Sequence, residues 1–212
     1  MAHAGNNAMT TTNRTYRDTR IERDRGQARR QQILEAAEEC FRRRGFQGAS
    51  VAEICKGAGV SAGHLYHFYD SKEAIIAAIV ERDLEEKLEI LDRLSQQADV
   101  SSAMIETLDD GVNEHMDSPG SALMLEVIAE AGRNPKVAEM VHRSDAIARA
   151  KLIETVAKAK NADPASPDLA AEVEVLIAMF EGLSARGICN PGLDRDAVVK
   201  VMRRMIRHIL AS

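Results

Sequence analysis

Between Ser61 and Lys72 the chain gathers two imidazoles, His64 and His67, two phenols, Tyr66 and Tyr69, two serine hydroxyls, Ser61 and Ser71, and an ammonium, with only Ala62 and Gly63 between Ser61 and the first ring. These groups donate and accept hydrogen bonds without forming a nucleophile–base pair. Their chemistry is that of contacting a polar surface at close range, and small residues at the start of the run let a backbone approach that surface. His64 and His67 stand at i and i+3, a spacing that can hold zinc, but no further Cys or carboxylate follows at a matching interval. Surface donors on a recognition helix are therefore the favoured reading, and no metal is expected. A glycine-rich phosphate loop, a nucleophile elbow and an HExxH pair are all missing from the sequence, so neither an enzyme nor a cofactor site is expected.

The elements that must carry these groups can be read from caps and breaks. Ser50 is placed to cap a helix, and Glu53 three residues on completes a capping-box pattern. Val51, Ile54 and Cys55 give that helix a narrow apolar stripe. Gly57 and Gly59 stop it, with Gly59 supplying the positive φ of a sharp turn and Val60 plugging the angle. Ser61 caps a second helix, Ala62 to Phe68, which buries Leu65, with Phe68 beside it, and leaves Ala62, Gly63, His64, Tyr66 and His67 outward. Two short helices across a glycine turn are the pattern of a helix-turn-helix DNA reader. Gly63, His64, Tyr66 and His67 are then expected to reach base edges. Ser50, Lys72 and, if it points outward, Tyr69 are expected to fix phosphates, with Lys72 beside the free N–H groups of the next helix.

Upstream, about Gln27 to Arg44 reads as a helix with Ile33, Ala36, Ala37, Cys40 and Phe41 on one face. Gly45 ends it and Phe46 folds back as the hydrophobic contact. Residues 1–26 are polar, small and charged, and are expected to be a disordered, locally basic arm carrying Arg14, Arg17, Arg20, Arg23 and Arg25. Those arginines could add phosphate or minor-groove contacts.

The run AGVSAGHLYHFYDSKEAI resembles the signature of the tetracycline-repressor (TetR) family, and ILEAAEECFRRRGFQGASVAEI is similar to the family's first helix, glycine break and second helix. The matching positions cover roughly residues 29 to 80. The resemblance implies an all-α fold of about nine helices: a DNA-binding domain over 27–73 and an effector-binding and dimerisation domain over 74–212. It also implies a homodimer whose last two helices pair with their twofold mates. Two reader helices would then enter successive major grooves of a palindromic operator, about 34 Å apart.

Composition agrees with a divided chain. The formal net charge is −5, but the residues through Glu73 hold 12 Lys and Arg against 9 Asp and Glu, net +3, and the remainder holds 16 against 24, net −8. Phosphate is favoured at one end only. Cys40, Cys55 and Cys189 have no CxxC spacing and no secretory signal ahead of them, which points to a reduced, cytoplasmic compartment. No apolar run is long enough for a membrane span. A long helix is expected from Ser71 to Leu94, joining the basic and acidic parts. Five more follow, over 101–116, 121–133, 135–160, 167–188 and 194–210, separated by proline and glycine breaks.

The last two helices are apolar on two faces. Val173, Leu176, Phe180, Leu183, Val198, Met202, Met205 and Ile209 are expected at the dimer interface, with Val175 and Met179 on a further face. Six of the seven Phe and Tyr residues lie before residue 74, leaving Phe180 alone beyond it. An effector pocket in the acidic part is therefore expected to be lined by Met104, Met116, Met124, Met140, Met179 and Phe180, with Asn113, His115, Glu126 or His142 as polar handles. The segment LEVIAEAGRNPKVAEM resembles one TetR subgroup, some of whose members answer to choline-like ligands. A cage for such cations needs several rings, so a small apolar or amphipathic effector is expected instead. The alternative of another class is a helical protein-interaction adaptor on the same scaffold without regulated DNA binding. The donors Ser50, His64, Tyr66, His67 and Lys72 tell against it.

Overall fold

A computed structural model describes residues 8–117 and 119–211; of side chains it describes those from Arg25 onward, apart from Asp117 and the two unplaced positions 118 and 212. The described residues form ten helices and no strand. They divide into two units, Met1–Ile75 and Ile76–Ser212. No helix among the described residues is long and apolar enough to cross a membrane.

The first unit contains α1 (Ala8–Gly48), α2 (Val51–Ala58), α3 (Ala62–Phe68) and the start of α4 (Lys72–Ser95). Helical backbone begins at Ala8, not near Gln27, so the expected disorder of residues 1–26 does not hold from Ala8 on. A polar segment without a hydrophobic period is thus a poor guide to where a helix begins. The arm's arginine side chains up to Arg23 lie outside the described residues.

Gly45 kinks α1 at φ 66° and ψ 169°, a conformation that favours glycine, and the chain makes one further turn to Gly48. The kink swings Phe46 back, so that its ring centroid lies 5.4 Å from that of Phe41. Ile33, Leu34, Ala37, Phe41 and Phe46 of α1 are buried, as are Ile54, Cys55 and Ala58 of α2 and Leu65 of α3. Gly57 lets α2 approach α1 closely, since a Cβ there would stand 3.3 Å from the Ala36 Cβ.

The second unit holds the rest of α4, then α5 (Val100–Glu106), α6 (Leu108–Asp117), α7 (Pro119–Ala131), α8 (Pro135–Lys160), α9 (Pro167–Cys189) and α10 (Arg195–Ala211). One helix was expected over 101–116, and two are found. The Thr107 hydroxyl donates to the Ala103 carbonyl 3.0 Å away, and this local back-bond bends the chain between α5 and α6. The unit's core joins Leu108, Val112, Val156, Leu169, Val173, Leu176, Leu183, Val199, Met202 and Ile206. Glu130, fully buried at the end of α7, receives the Arg133 Nε at 2.8 Å and the Asn134 amide at 3.2 Å, which fixes the turn into α8.

Candidate nucleic-acid interface

Seven residues are too few for a free helix to persist, so α3 must be held by its neighbours. Its N-terminus is capped by Ser61, whose Oγ accepts the His64 N–H at 3.2 Å. The turn before it rests on Gly59 at φ 60°, with the Val60 N–H donating to Cys55 O at 3.0 Å. Ahead of α2 the full capping box is present. Ser50 Oγ accepts the Glu53 N–H at 3.2 Å, and Glu53 Oε2 accepts the Ser50 N–H, also at 3.2 Å. The second Glu53 oxygen pairs with Arg44 at 3.0 Å, joining α1 to α2.

The C-terminal end of α3 is clasped by Arg30 of α1. Its guanidinium donates to Phe68 O at 3.1 Å and lies 5.2 Å from the Tyr69 ring centroid, while its own carbonyl accepts the Tyr69 hydroxyl at 3.3 Å. A reading of residue types gave no sign of Arg30, because 38 residues separate it from Phe68.

Set against this geometry, the expected residues fall into two groups. Ser61, Ala62, Gly63, His64, Tyr66 and His67 are all exposed, with only Leu65 of the helix fully buried. A methyl added at Gly63 would meet nothing within 4 Å, so the chain's own packing does not require glycine there. The His64 ring stacks on Phe68 with centroids 5.5 Å apart and planes 14° from parallel, and His67 meets the same ring edge-on at 5.1 Å. Phe68 is half-buried and backs both imidazoles.

The three expected phosphate anchors are committed within the chain. Tyr69 is 4% exposed and does not point outward. Lys72 Nζ donates to Phe46 O at 2.7 Å and Ala49 O at 3.0 Å, and lies 4.4 Å from the Phe46 ring centroid. Its charge ties the segment after the Gly45 kink to the start of α4. The Ser50 hydroxyl is occupied by Glu53 on both sides, accepting from its N–H and donating to its carboxylate at 3.0 Å. Among the described residues no group of three or more His, Cys, Asp or Glu is gathered as a metal would need.

In the second unit, Val173, Leu176, Leu183 and Met202 are buried in their own chain, so they cannot also form a partner interface as expected. Met205, expected at the interface, is outward, and so are Val175 and Ile188 of α9 and Val201 of α10, which were not among the expected interface residues. Val198 and Ile209 are half-buried against the core. Of the expected pocket residues, Met104, Met116, Met179 and Phe180 pack on that core, and Met124, Met140 and Glu126 are half-buried. Asn113 and His142 are exposed, which leaves His115 and Glu126 as the inner polar groups of that set. His115 lies 5.3 Å from the Phe180 ring centroid, and its Nδ1 is 2.9 Å from Gly111 O.

This arrangement agrees with what the chain is similar to. Residues 33–79 match bacterial regulatory proteins of the tetR family, and residues 92–211 match the C-terminal part of BetI-type transcriptional repressors. The transcriptional regulator UidR of Escherichia coli K12 is 34% identical over 189 residues, which cover 88% of this chain and 95% of UidR. The Salmonella enterica GusR structure superposes with a TM-score of 0.71 at 31% identity, covering 86% of this chain and 95% of GusR. The Bacillus subtilis FadR structure, at 15% identity and a TM-score of 0.69 over 83% of this chain and 96% of FadR, shares the fold. The chain belongs to the tetR family of bacterial regulatory proteins and is a helix-turn-helix, DNA-binding transcriptional regulator of the repressor kind.

Proposed function

We propose that the protein acts as a homodimeric repressor, that α3 reads a palindromic operator, and that a small apolar or amphipathic effector in the second unit releases it. The observation that carries this reading is the outward row of Gly63, His64, Tyr66 and His67 on a short helix clasped at both ends. A fixed rod with donors on its free face loses little entropy on entering a major groove. The exposed Val175, Ile188, Val201 and Met205 of α9 and α10 supply the apolar surface on which a twofold copy would close. Effector binding acts by favouring the dimer state whose reader helices are too far apart for successive grooves, and α4, which has residues in both units, carries the coupling.

Gly63→Ala tests the base-reading face without disturbing the fold. The added methyl finds open space within the chain and alanine favours a helix, so stability is kept or raised. Affinity, measured by fluorescence anisotropy on a duplex selected by the wild-type chain from a random-sequence pool, is expected to fall tenfold or more. His64→Ala should change preference at a single base pair, by about 1–3 kcal/mol. Unaltered operator binding in both variants would remove α3 as the reader.

A further inference from the structure

A DNA interface that reads bases must also hold the backbone, since half to two-thirds of protein–DNA hydrogen bonds go to phosphate and sugar. Here the groups best suited to that task are tied up within the first unit. Lys72 donates to two carbonyls, Arg30 clasps Phe68, Arg44 pairs with Glu53, Arg42 pairs with Glu39, and the Ser50 hydroxyl serves its own cap. Arg25, Arg29, Arg43 and Lys56 are the described cations of this unit outside those contacts, and two of them share one groove.

A groove of about 540 Å³ opens between α1 and α3, walled by Arg25, Arg29 and Gln32 on one side and by His64 and Phe68 on the other. Among its described lining residues none is acidic. Arg29 is steadied by donating to Gln32 Oε1 at 2.8 Å, which leaves further guanidinium N–H groups for a second acceptor. Arg25 lies one helical turn before Arg29 on the same wall and is exposed. Ala28 and the half-buried Phe68 ring add apolar surface to the lining. His64 belongs both to this groove and to the outward face of α3.

We infer that Arg25 and Arg29 form a seat for a backbone phosphate of duplex DNA, set beside His64 and the base-reading face of α3. This rests on the reading of α3 as a DNA-entering helix. Two guanidiniums on one wall of a groove suit a phosphodiester, because each can present parallel N–H groups to its free oxygens, and His64 on the facing wall marks the turn from backbone to base.

The test is the salt dependence of binding to a random-sequence duplex, which needs no knowledge of the operator because phosphate contacts carry no sequence information. For Arg25→Gln/Arg29→Gln, the log–log slope of affinity against salt is expected to become shallower by one to two contacts, at about 0.9 per phosphate. Arg25→Lys/Arg29→Lys keeps the charges and should keep most of the slope. Arg143→Gln, an exposed charge of the second unit, should leave the slope unchanged. Far-ultraviolet circular dichroism of each variant establishes that the helices persist. A wild-type slope retained by the glutamine pair overturns the seat while leaving base reading intact. A wild-type chain with no affinity for any duplex at low salt overturns both.

Discussion

The two units differ most in what fills their cores. In the first, polar clips act over long sequence separations: Lys72 to the Phe46 and Ala49 carbonyls, Arg30 to Phe68 and Tyr69, and Arg44 to Glu53. Its core is ring-bearing, with Phe41 against Phe46, and at its surface Phe68 backs two histidines. The second unit has long-range clips too, the Ser101 hydroxyl donating to Ala159 O at 2.8 Å and Arg203 pairing with Asp109, but its core is of aliphatic and Met side chains across α5, α6, α8, α9 and α10, with Phe180 as its one Phe or Tyr. Polar clips have defined lengths and angles and so specify one arrangement, whereas Met and aliphatic packing re-forms around changes of shape. A rigid reader and an adaptable sensor call for that division.

The chain supplies its own means of separating the two. There is no Trp, and Tyr16, Tyr66 and Tyr69 all lie in the first unit, so tyrosine fluorescence reports that unit while far-ultraviolet circular dichroism reports both. The largest expected effect comes from truncating the second core. Leu176, 3% exposed, sits in the central cluster, and Leu176→Ala should cost about 2–5 kcal/mol in the dichroism-detected transition. Tyrosine fluorescence should keep its wild-type midpoint. Equal displacement of both signals would mean that the units unfold as one, and the contrast drawn between them would fail.

Lys72→Met comes next and bears on the clips. Loss of the ammonium leaves two carbonyls without their donor, at a cost of about 1.5–3 kcal/mol, seen by tyrosine fluorescence. The salt slope of DNA binding should be unaltered. If stability were kept and the slope fell by one phosphate, Lys72 would be an anchor after all and its bonds to the loop incidental.

Local chemistry in the sequence was enough to place α2, the Gly59 turn and α3. Ser50 with Glu53, Gly59 and Ser61 each act within four residues, and all take the roles their types imply. The partners of Lys72, Tyr69 and Arg30 could not be read that way. Each acts across 23 to 39 residues, and an exposed Lys and a clip Lys are written with the same letter. On α9 and α10 the sequence shows two apolar faces, but which one meets the chain's own core depends on where α6 and α8 lie. The helical backbone ahead of Gln27 was hidden for the opposite reason, since that stretch of sequence has no apolar period to betray it.

The smallest expected effect concerns acid, and here the two units can be compared through the same device. Hydrogen bonds from the Ser50 backbone and side chain hold the Glu53 carboxyl below its ordinary value, and those from Ser102 do the same for Asp99 at the start of α5. A carboxyl lowered in the folded chain binds its proton less readily there than in the unfolded chain. Its stabilising contribution is therefore complete above the ordinary carboxylate value and is lost as pH falls through the lowered one. Ser50→Ala should cost about 1 kcal/mol near neutral pH. Glu53→Gln should flatten the acid dependence of the tyrosine-detected midpoint over that range. Asp99→Asn should flatten only the dichroism-detected transition, because its cap lies in the unit without tyrosine. A tyrosine signal that answered equally to both substitutions would show that acid acts on the chain as a whole, and the local caps would not be what sets its acid limit.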